Sequence, residues 1–137
     1  MTIVVDTSIV LALLDRRDAD HAVVRDWIAT VDEDLFTSPL AVAEIDHLLA
    51  VHGGPVAQRA FWGDLDAGAY TVRWWADGIA DTVGVVRGGD GIGLTDASLV
   101  ALAARLRTTR IATLDHDHFR PLAGPDGRAF TLLPADA

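Results

Sequence analysis

The sequence predicts an α/β protein in which helices cover both faces of a mostly parallel sheet, a three-layer α/β/α sandwich. Short β-branched and apolar runs alternate with longer segments at helical spacing along the 137 residues. Half of the residues are hydrophobic, and this length suits one domain with a substantial core. We therefore expect a single domain over residues 1–137, with functional side chains beyond the carboxyl ends of its strands.

Local signals delimit the elements in the first half of the chain. Asp6, Thr7 and Ser8 follow the first apolar run, which is typical of a strand that ends at a helix cap. Ser38 and Pro39 open a later helix, with serine at the cap and proline in the first turn. The predicted elements of this half are strands at 3–5, 35–37 and 70–73, a helix ending at 14, and helices over 19–30, 39–51 and 56–67.

The second half contains two helices and two strands. A glycine-weakened helix is predicted over 75–87, closed by the glycine-rich run 88–91. Thr95 is expected to cap a strong helix over 96–107. Strands are predicted at 111–114 and 130–133, and residues 115–118 are expected to form a solvated loop.

Missing residue types exclude several classes of chemistry. The chain has no cysteine, which excludes disulfides, thiolate nucleophiles and zinc ribbons. It has no lysine, which excludes a Walker A loop, a Schiff-base enzyme and a kinase-type lysine. None of the three serines lies in a G-x-S-x-G pattern. Because no apolar run reaches the roughly 20 residues of a membrane span, we expect a cytoplasmic protein without membrane partners.

Four carboxylates occupy positions that the predicted fold favours for function. Asp6 and Asp115 each follow a strand at its carboxyl end, although a helix cap or a turn explains each of them equally well. Glu44 and Asp96 lie on helices beside apolar stripes, where a buried carboxylate needs a proton, a partner or a metal. The stripe beside Glu44 is predicted to comprise Leu40, His47, Leu48 and Val51, and the stripe beside Asp96 comprises Leu99, Val100 and Ala103.

Convergence of these four acids would require a cation. Two carboxylates about 5 Å apart repel by roughly 3 kcal/mol at an effective dielectric of ~20. Several such pairs would remove much of a typical domain stability of ~5–15 kcal/mol. Since there is no lysine, either the acids do not meet or bound cations neutralise them. An oxygen donor set suits Mg²⁺ or Mn²⁺, which activates water and stabilises charge on a phosphodiester.

Four short motifs, taken together and in this order, resemble those of the PIN-domain ribonucleases, and more narrowly the VapC toxins of type II toxin–antitoxin pairs. They are V-V-D-T-S at 4–8, A-E at 43–44, G-L-T-D-A at 93–97 and A-T-L-D at 112–115. The resemblance extends over nearly the whole chain, to residues 130–134. It implies a small sandwich with an acidic Mg²⁺- or Mn²⁺-binding groove that cleaves single-stranded or structured RNA internally.

The resemblance also implies roles for individual residues. Asp6, Glu44, Asp96 and Asp115 match the four acids of the family. Asp6 and Asp96 would be the most direct metal ligands, and the other two would complete the site directly or through water. Metal-bound water would be the nucleophile. The matching supporting hydroxyls are those of Thr7, Ser8 and Thr113, although helix capping explains Ser8 at least as well.

The segment from Asp115 to His118 leaves one choice open. Asp115 directly follows the strand and is the favoured fourth acid, whereas Asp117 could replace or assist it. His116 and His118 also resemble a metal-binding pair. Hydrolases built on such a pair need further histidines at fixed spacing, which this chain lacks, so we expect incidental histidines.

The resemblance further implies two protein partners. A VapB-type antitoxin would cover the acidic groove with its C-terminal segment, and a second copy of the chain would form a homodimer. The net charge of −9 suits a basic partner segment better than tight non-specific RNA binding. Candidate phosphate contacts, some of which instead complement a helix dipole, are Arg16, Arg17, Arg105, Arg107 and Arg110.

Three other functions are weighed against the ribonuclease. A non-catalytic binding module with a PIN-like fold is the main alternative, and the presence of all four acids argues against it. A receiver-type phosphoacceptor domain needs adjacent acids after the first strand and a late lysine, which are both absent. Another metal-dependent phosphohydrolase remains an open alternative.

Overall fold

Five parallel strands form the central sheet of the computed structural model, which describes residues 1–89 and 91–137. The strands are β1 (Thr2–Val5), β2 (Asp34–Thr37), β3 (Thr71–Val72), β4 (Arg110–Ala112) and β5 (Thr131–Leu133). Their spatial order is β3-β2-β1-β4-β5, and each of the four pairings is parallel. The predicted fold class is confirmed. Asp90, in the predicted helix-closing run, lies outside the described residues.

The register of the sheet brings two predicted site segments together. β1 lies at the centre and pairs with β2 on one side and β4 on the other. Beyond β1, the Asp6 N–H donates to the Ala112 carbonyl oxygen at 2.9 Å, and beyond β4 the Thr113 N–H donates to that of Leu133 at 2.9 Å. Asp6 and Thr113 therefore lie on neighbouring strands at the carboxyl edge of the sheet.

Helices cover both faces of this sheet. They are α1 (Thr7–Leu14), α2 (His21–Ile28), α3 (Pro39–Leu48), α4 (Gly54–Asp66), α5 (Gly78–Gly88), α6 (Leu94–Leu106) and the one-turn α7 (His116–Phe119). In the part of the chain that the structure describes, no helix is both long enough and apolar enough to cross a bilayer.

Alternating side chains of β1 divide the core into two clusters. Ile3 and Val5 point to one face and Val4 to the other, as the pleat of a strand requires. The first cluster includes Ile9, Val24, Ile45 and Phe61 from α1 to α4. The second includes Leu99 and Leu102 of α6, Phe119 of α7 and Leu132 of β5. Both faces of the sheet are buried, which gives the three layers.

The junction between α3 and α4 differs from the predicted stop at residue 51. α3 ends at Leu48, and a π-helical turn over Leu49–Gly53 continues the chain. Gly54 then adopts a φ of 80°, which favours glycine, and Pro55 lies in the first turn of α4. The chain therefore passes from the π-helical turn into α4 at this glycine without an intervening loop.

The buried face of α3 is also displaced from the predicted stripe. Ala41 and Ile45 are fully buried, whereas His47 is exposed and Val51 is 59% exposed. Burying Glu44 and His47 together would cost more than exposing one valine, so α3 turns its small and branched side chains inward. Glu44 consequently lies half-buried at the flank of the helix.

Two helix starts are corrected as well. α5 begins at Gly78 rather than at residue 75, and the Trp74 ring packs so closely that a Cβ at Gly78 would lie 2.5 Å from it. α6 begins at Leu94 with Gly93 at its cap, so Thr95 lies inside the first turn and does not cap the helix. The apolar stripe predicted beside Asp96 is buried as expected.

The segment expected to be a solvated loop is helix α7. Asp115 caps it, since its Oδ1 accepts from the His118 N–H at 3.3 Å. The Phe119 side chain is fully buried in the second core cluster and anchors the turn. This turn holds His118 in a defined position relative to Asp115.

We expect replacement of the buried Leu102 to destabilise the fold strongly. Leu102→Ala removes a fully buried side chain of α6 and should lower the free energy of unfolding by about 2–5 kcal/mol. Val56→Ala, at a position that is 74% exposed, should change it by less than about 0.5 kcal/mol. Urea denaturation followed by circular dichroism checks both, and equal effects would contradict the assigned core.

Candidate metal centre at the carboxyl edge of the sheet

Asp6 is held by hydrogen bonds to both of its carboxylate oxygens. Oδ1 accepts from the Thr7 N–H at 2.8 Å, and Oδ2 accepts from the hydroxyls of Ser8 and Thr113, each at 2.8 Å. The residue is only 4% exposed. Burial raises the pKa of Asp6 above its usual range, although the three hydrogen bonds act in the opposite direction. The side chain is therefore oriented firmly but not neutralised by a positive group.

The same hydroxyls connect the ends of β1 and β4. The Thr113 hydroxyl also accepts from the Asp115 N–H at 2.9 Å, and the Ser8 hydroxyl accepts from the Leu114 N–H at 3.0 Å. Ser8 and Thr113 therefore position both Asp6 and the backbone of Asp115.

Glu44 reaches the edge from α3. Its Oε2 accepts from the Thr7 hydroxyl at 3.2 Å, so Thr7 contacts one acid through its backbone and another through its side chain. Since α1 begins at Thr7, this contact fixes Glu44 relative to Asp6. The three hydroxyls predicted to support the site all contact at least one of the four acids.

Asp96 lies in the first turn of α6, and its side chain is 22% exposed. Burial, followed by the charges of Asp6, Asp115 and Glu44, raises the pKa of Asp96 to about 6. The nearby His118 partly offsets this rise. The charges of the other three predicted acids, which come from three separate elements, therefore act on Asp96.

Asp115 and Asp117 occupy different surroundings. Asp115 Oδ2 lies 2.5 Å from His118 Nδ1, and one ligand atom each from Asp96, Asp115 and His118 lie within 4.8 Å of one another. Asp6, Glu44 and Asp117 are not members of this cluster, but Asp117 is also exposed, whereas Asp6 is buried and Glu44 half-buried. The geometry therefore favours Asp115 as the fourth acid, although its role stays a prediction.

His118 lies beside these acids, although the sequence, in which it resembles half of a metal-binding pair, predicts it to be incidental. Its Nδ1 lies 3.8 Å from Asp96 Oδ2 as well as close to Asp115, and the hydrogen bond with Asp115 raises the pKa of His118. The spacing of three residues from Asp115 was the available signal, because it places both side chains on one side of a helical turn. His116 is not a member of the cluster.

The donor set fits a divalent cation. Within residues 1–89 and 91–137, the ion pairs of the four acids involve no arginine, and His118 is the basic side chain that contacts them. Carboxylate oxygens are the donors that a hard dication prefers, and the raised pKa values of Asp6 and Asp96 show that these two carboxylates lack a neutralising partner. Fold and donors together define an α/β protein with an acidic cluster at the carboxyl edge of its sheet, which is a candidate cation site.

Two of the candidate phosphate-binding arginines, Arg107 and Arg110, lie away from the acids. Arg110 begins β4, at the amino edge of the sheet, and its Nη2 lies 3.0 Å from Glu33 Oε1. Arg107 follows the last residue of α6, a helix about 20 Å long whose first turn carries Asp96. The Arg105 guanidinium lies over the Trp75 ring, 5.9 Å from its centroid. Neither Arg107 nor Arg110 therefore lies at the acidic edge.

Comparison with known proteins identifies the family. A PIN-domain family model matches residues 3–124. The chain is 37% identical over 134 residues to Ribonuclease VapC26 of Mycobacterium tuberculosis (strain ATCC 25618 / H37Rv), covering 96% of this chain and 99% of that relative. It therefore belongs to the PIN-domain family, and within it to the VapC ribonucleases.

Solved structures match the fold. VapC20 of Mycobacterium tuberculosis, a sarcin–ricin loop cleaving toxin, superposes with a TM-score of 0.78 at 23% identity, over 85% of this chain and 92% of that chain. The structure of VapBC2 from Rickettsia felis, bound to a DNA fragment from its promoter, gives a TM-score of 0.69 at 12% identity. The match covers 96% of this chain and 98% of that chain.

Without divalent cations, the contribution of Asp96 to stability should fall as pH rises from about 4 to about 6. Because the pKa of Asp96 is about 6 when folded and 3.8 ordinarily, the folded state keeps a proton that the unfolded chain loses in this interval. Over this pH interval, the free energy of unfolding should fall by about 2–3 kcal/mol through Asp96.

The Asp96→Asn variant lacks this titration. The free energy of unfolding of the variant, minus that of the unmodified protein, should therefore increase as pH rises across the same interval. Urea denaturation in EDTA between pH 4.5 and 7.5 measures the difference. Asp66→Asn, an exposed change on α4, is the control. A difference that does not vary with pH would show that Asp96 ionises normally.

Proposed function

We propose that this VapC ribonuclease is the toxin of a type II toxin–antitoxin pair and hydrolyses RNA phosphodiester bonds with a divalent cation held by its four acids. One observation supports the cation site: burial, followed by the charges of Asp6, Asp115 and Glu44, raises the pKa of Asp96 to about 6. Family membership supports RNA as the substrate. The proposed unit is a single PIN domain over residues 1–137.

The acids have distinct structural roles in this proposal. Asp6 and Asp96 hold the cation most directly, and Glu44 and Asp115 complete the site. When bound, the cation lowers the pKa of water and offsets the charge that develops on the phosphate. The hydroxyls of Thr7, Ser8 and Thr113 set the orientation of the carboxylates before the ion arrives, which reduces the cost of binding.

Mg²⁺ or Mn²⁺ is the proposed ion. Both accept carboxylate oxygens, and both are used to stabilise charge on phosphates. The protein carries a net charge of −9, so its long-range electrostatic interaction with RNA does not favour binding. Productive binding of a scissile phosphate at the acidic edge would therefore depend on the cation.

The same charge distribution favours a basic protein partner. We propose that a VapB-type antitoxin places a basic segment on the acidic edge and blocks access to the four carboxylates. A second copy of the chain completes the proposed assembly as a homodimer. The absence of a neutralising arginine in the described site supports a partner of this charge.

Antitoxin-free protein should cut structured RNAs at discrete positions with Mg²⁺ or Mn²⁺, and not in EDTA. The RNA panel should contain a sarcin–ricin stem-loop, because VapC20 cleaves that loop. Asp96→Asn should reduce the cleavage rate at least about 100-fold, since one direct ligand is lost. Electrophoresis of end-labelled RNA measures the rates.

Asp66→Asn serves as the matched control and should cut normally. Comparison of Asp115→Asn with Asp117→Asn identifies the fourth acid, and we expect the larger loss for Asp115→Asn. Equal cutting by the Asp96→Asn variant would contradict the assigned site, whereas no cutting by any folded sample would favour the non-catalytic binding module.

Removal of the Thr113 hydroxyl should weaken the site without unfolding the protein. Thr113→Val keeps the shape of the side chain but removes its contacts with Asp6 and with the Asp115 N–H. We expect cleavage and cation affinity to fall about 10–100-fold, as for other residues that orient metal ligands. Thr30→Val on the surface is the control, and a normal cation affinity in Thr113→Val would argue against this positioning role.

A further inference from the structure

We propose that His118 supplies a nitrogen ligand to the cation, so that this site prefers Mn²⁺ and Co²⁺ over Mg²⁺ more strongly than four carboxylates alone would. The proposal rests on the cation site of the proposed function and adds a ligand and a selectivity to it. It also revises the expectation that the histidines of this segment are incidental.

The position of the imidazole carries the first part of the argument. His118 Nδ1 lies 2.5 Å from Asp115 Oδ2 and 3.8 Å from Asp96 Oδ2. One ligand atom from each of the three residues lies within 4.8 Å of the other two. Donors on opposite sides of a small dication are about 4.2 Å apart, so small side-chain adjustments allow all three to contact one ion.

The rigidity of the turn carries the second part. α7 has Asp115 as its cap, and the fully buried Phe119 directly follows His118. The Asp115 backbone is in turn fixed by its hydrogen bond to Thr113. The His118 ring thus approaches the carboxylates from a short anchored helix, and its Nδ1 faces the acids although 56% of its side chain is exposed.

Donor chemistry supplies the selectivity. Mg²⁺ prefers oxygen ligands and retains several of its waters, so replacing a water by imidazole brings it little. Affinity for mixed nitrogen and oxygen sites rises along the first transition series from Mn²⁺ to Co²⁺. An imidazole that joins Asp96 and Asp115 should therefore increase Co²⁺ affinity most, Mn²⁺ affinity next and Mg²⁺ affinity least.

An alternative role for His118 makes a different prediction. If the imidazole only orients Asp115 through their hydrogen bond, its loss would weaken binding of every dication by a similar factor. Relative affinities for three ions therefore separate a ligand from a positioning residue, which a cleavage rate with one ion does not.

Calorimetric titration of the full-length, antitoxin-free chain with Mg²⁺, Mn²⁺ and Co²⁺ at pH 7.5 tests the proposal. His118→Gln and His118→Ala should each lose about 10-fold or more in Mn²⁺ and Co²⁺ affinity and less than about 3-fold in Mg²⁺ affinity. His52→Gln, at an exposed histidine in the turn before α4, is the matched control and should bind all three ions normally. The visible absorption spectrum of bound Co²⁺ should change in both His118 variants.

An equal loss for all three ions, or no change in affinity and in the Co²⁺ spectrum, would overturn the ligand role of His118. Asp96→Asn, titrated in parallel, distinguishes this from failure of the cation site itself. If Asp96→Asn loses binding of all three ions, the site stands whatever the His118 variants show. If the unmodified protein binds none of the ions, both the site and the role of His118 are wrong.

Discussion

Burial of carboxylates at one edge of the sheet, together with the repulsion between them, is the constraint on which the rest of this structure depends. The raised pKa of Asp96, at about 6, reflects burial and the charges of Asp6, Asp115 and Glu44. Such a cluster opposes folding in the absence of a cation. The stability that offsets it comes from a parallel sheet buried on both faces and from α6, which is buried continuously from Ala97 to Ala103.

Hydroxyl groups, rather than arginines, hold the carboxylate of Asp6 at this edge of the sheet. The hydroxyls of Ser8 and Thr113 satisfy and orient Asp6 without removing its charge. Among the described residues, the arginine ion pairs all involve acids outside the site, namely Asp15, Asp26, Glu33 and Asp136. The negative charge of the site therefore remains available for a cation, and in the proposed complex for a basic partner segment.

The charge distribution also explains how an acidic protein can act on RNA. With a net charge of −9, the surface as a whole does not attract phosphates. Arg107 and Arg110 lie toward the amino edge of the sheet, away from the acids. Affinity for a phosphate at the acidic edge would then depend on the bound ion. Substrate binding would therefore depend on which ion is bound. The proposed nitrogen ligand, His118, would influence that preference.

The sequence by itself determined the strands, the fold class and the positions of Asp6 and Asp115 after buried strands, because these depend on short local patterns of apolar and capping residues. Periodicity also predicted the buried stripe of α6 beside Asp96. The tertiary structure decided the rotation of α3, since which side chains it buries depends on the layer against which it packs. It likewise decided that residues 116–119 form a helix, because burial of Phe119 in a distant core stabilises a turn too short to be stable alone. The place of His118 beside Asp96 follows from that non-local packing.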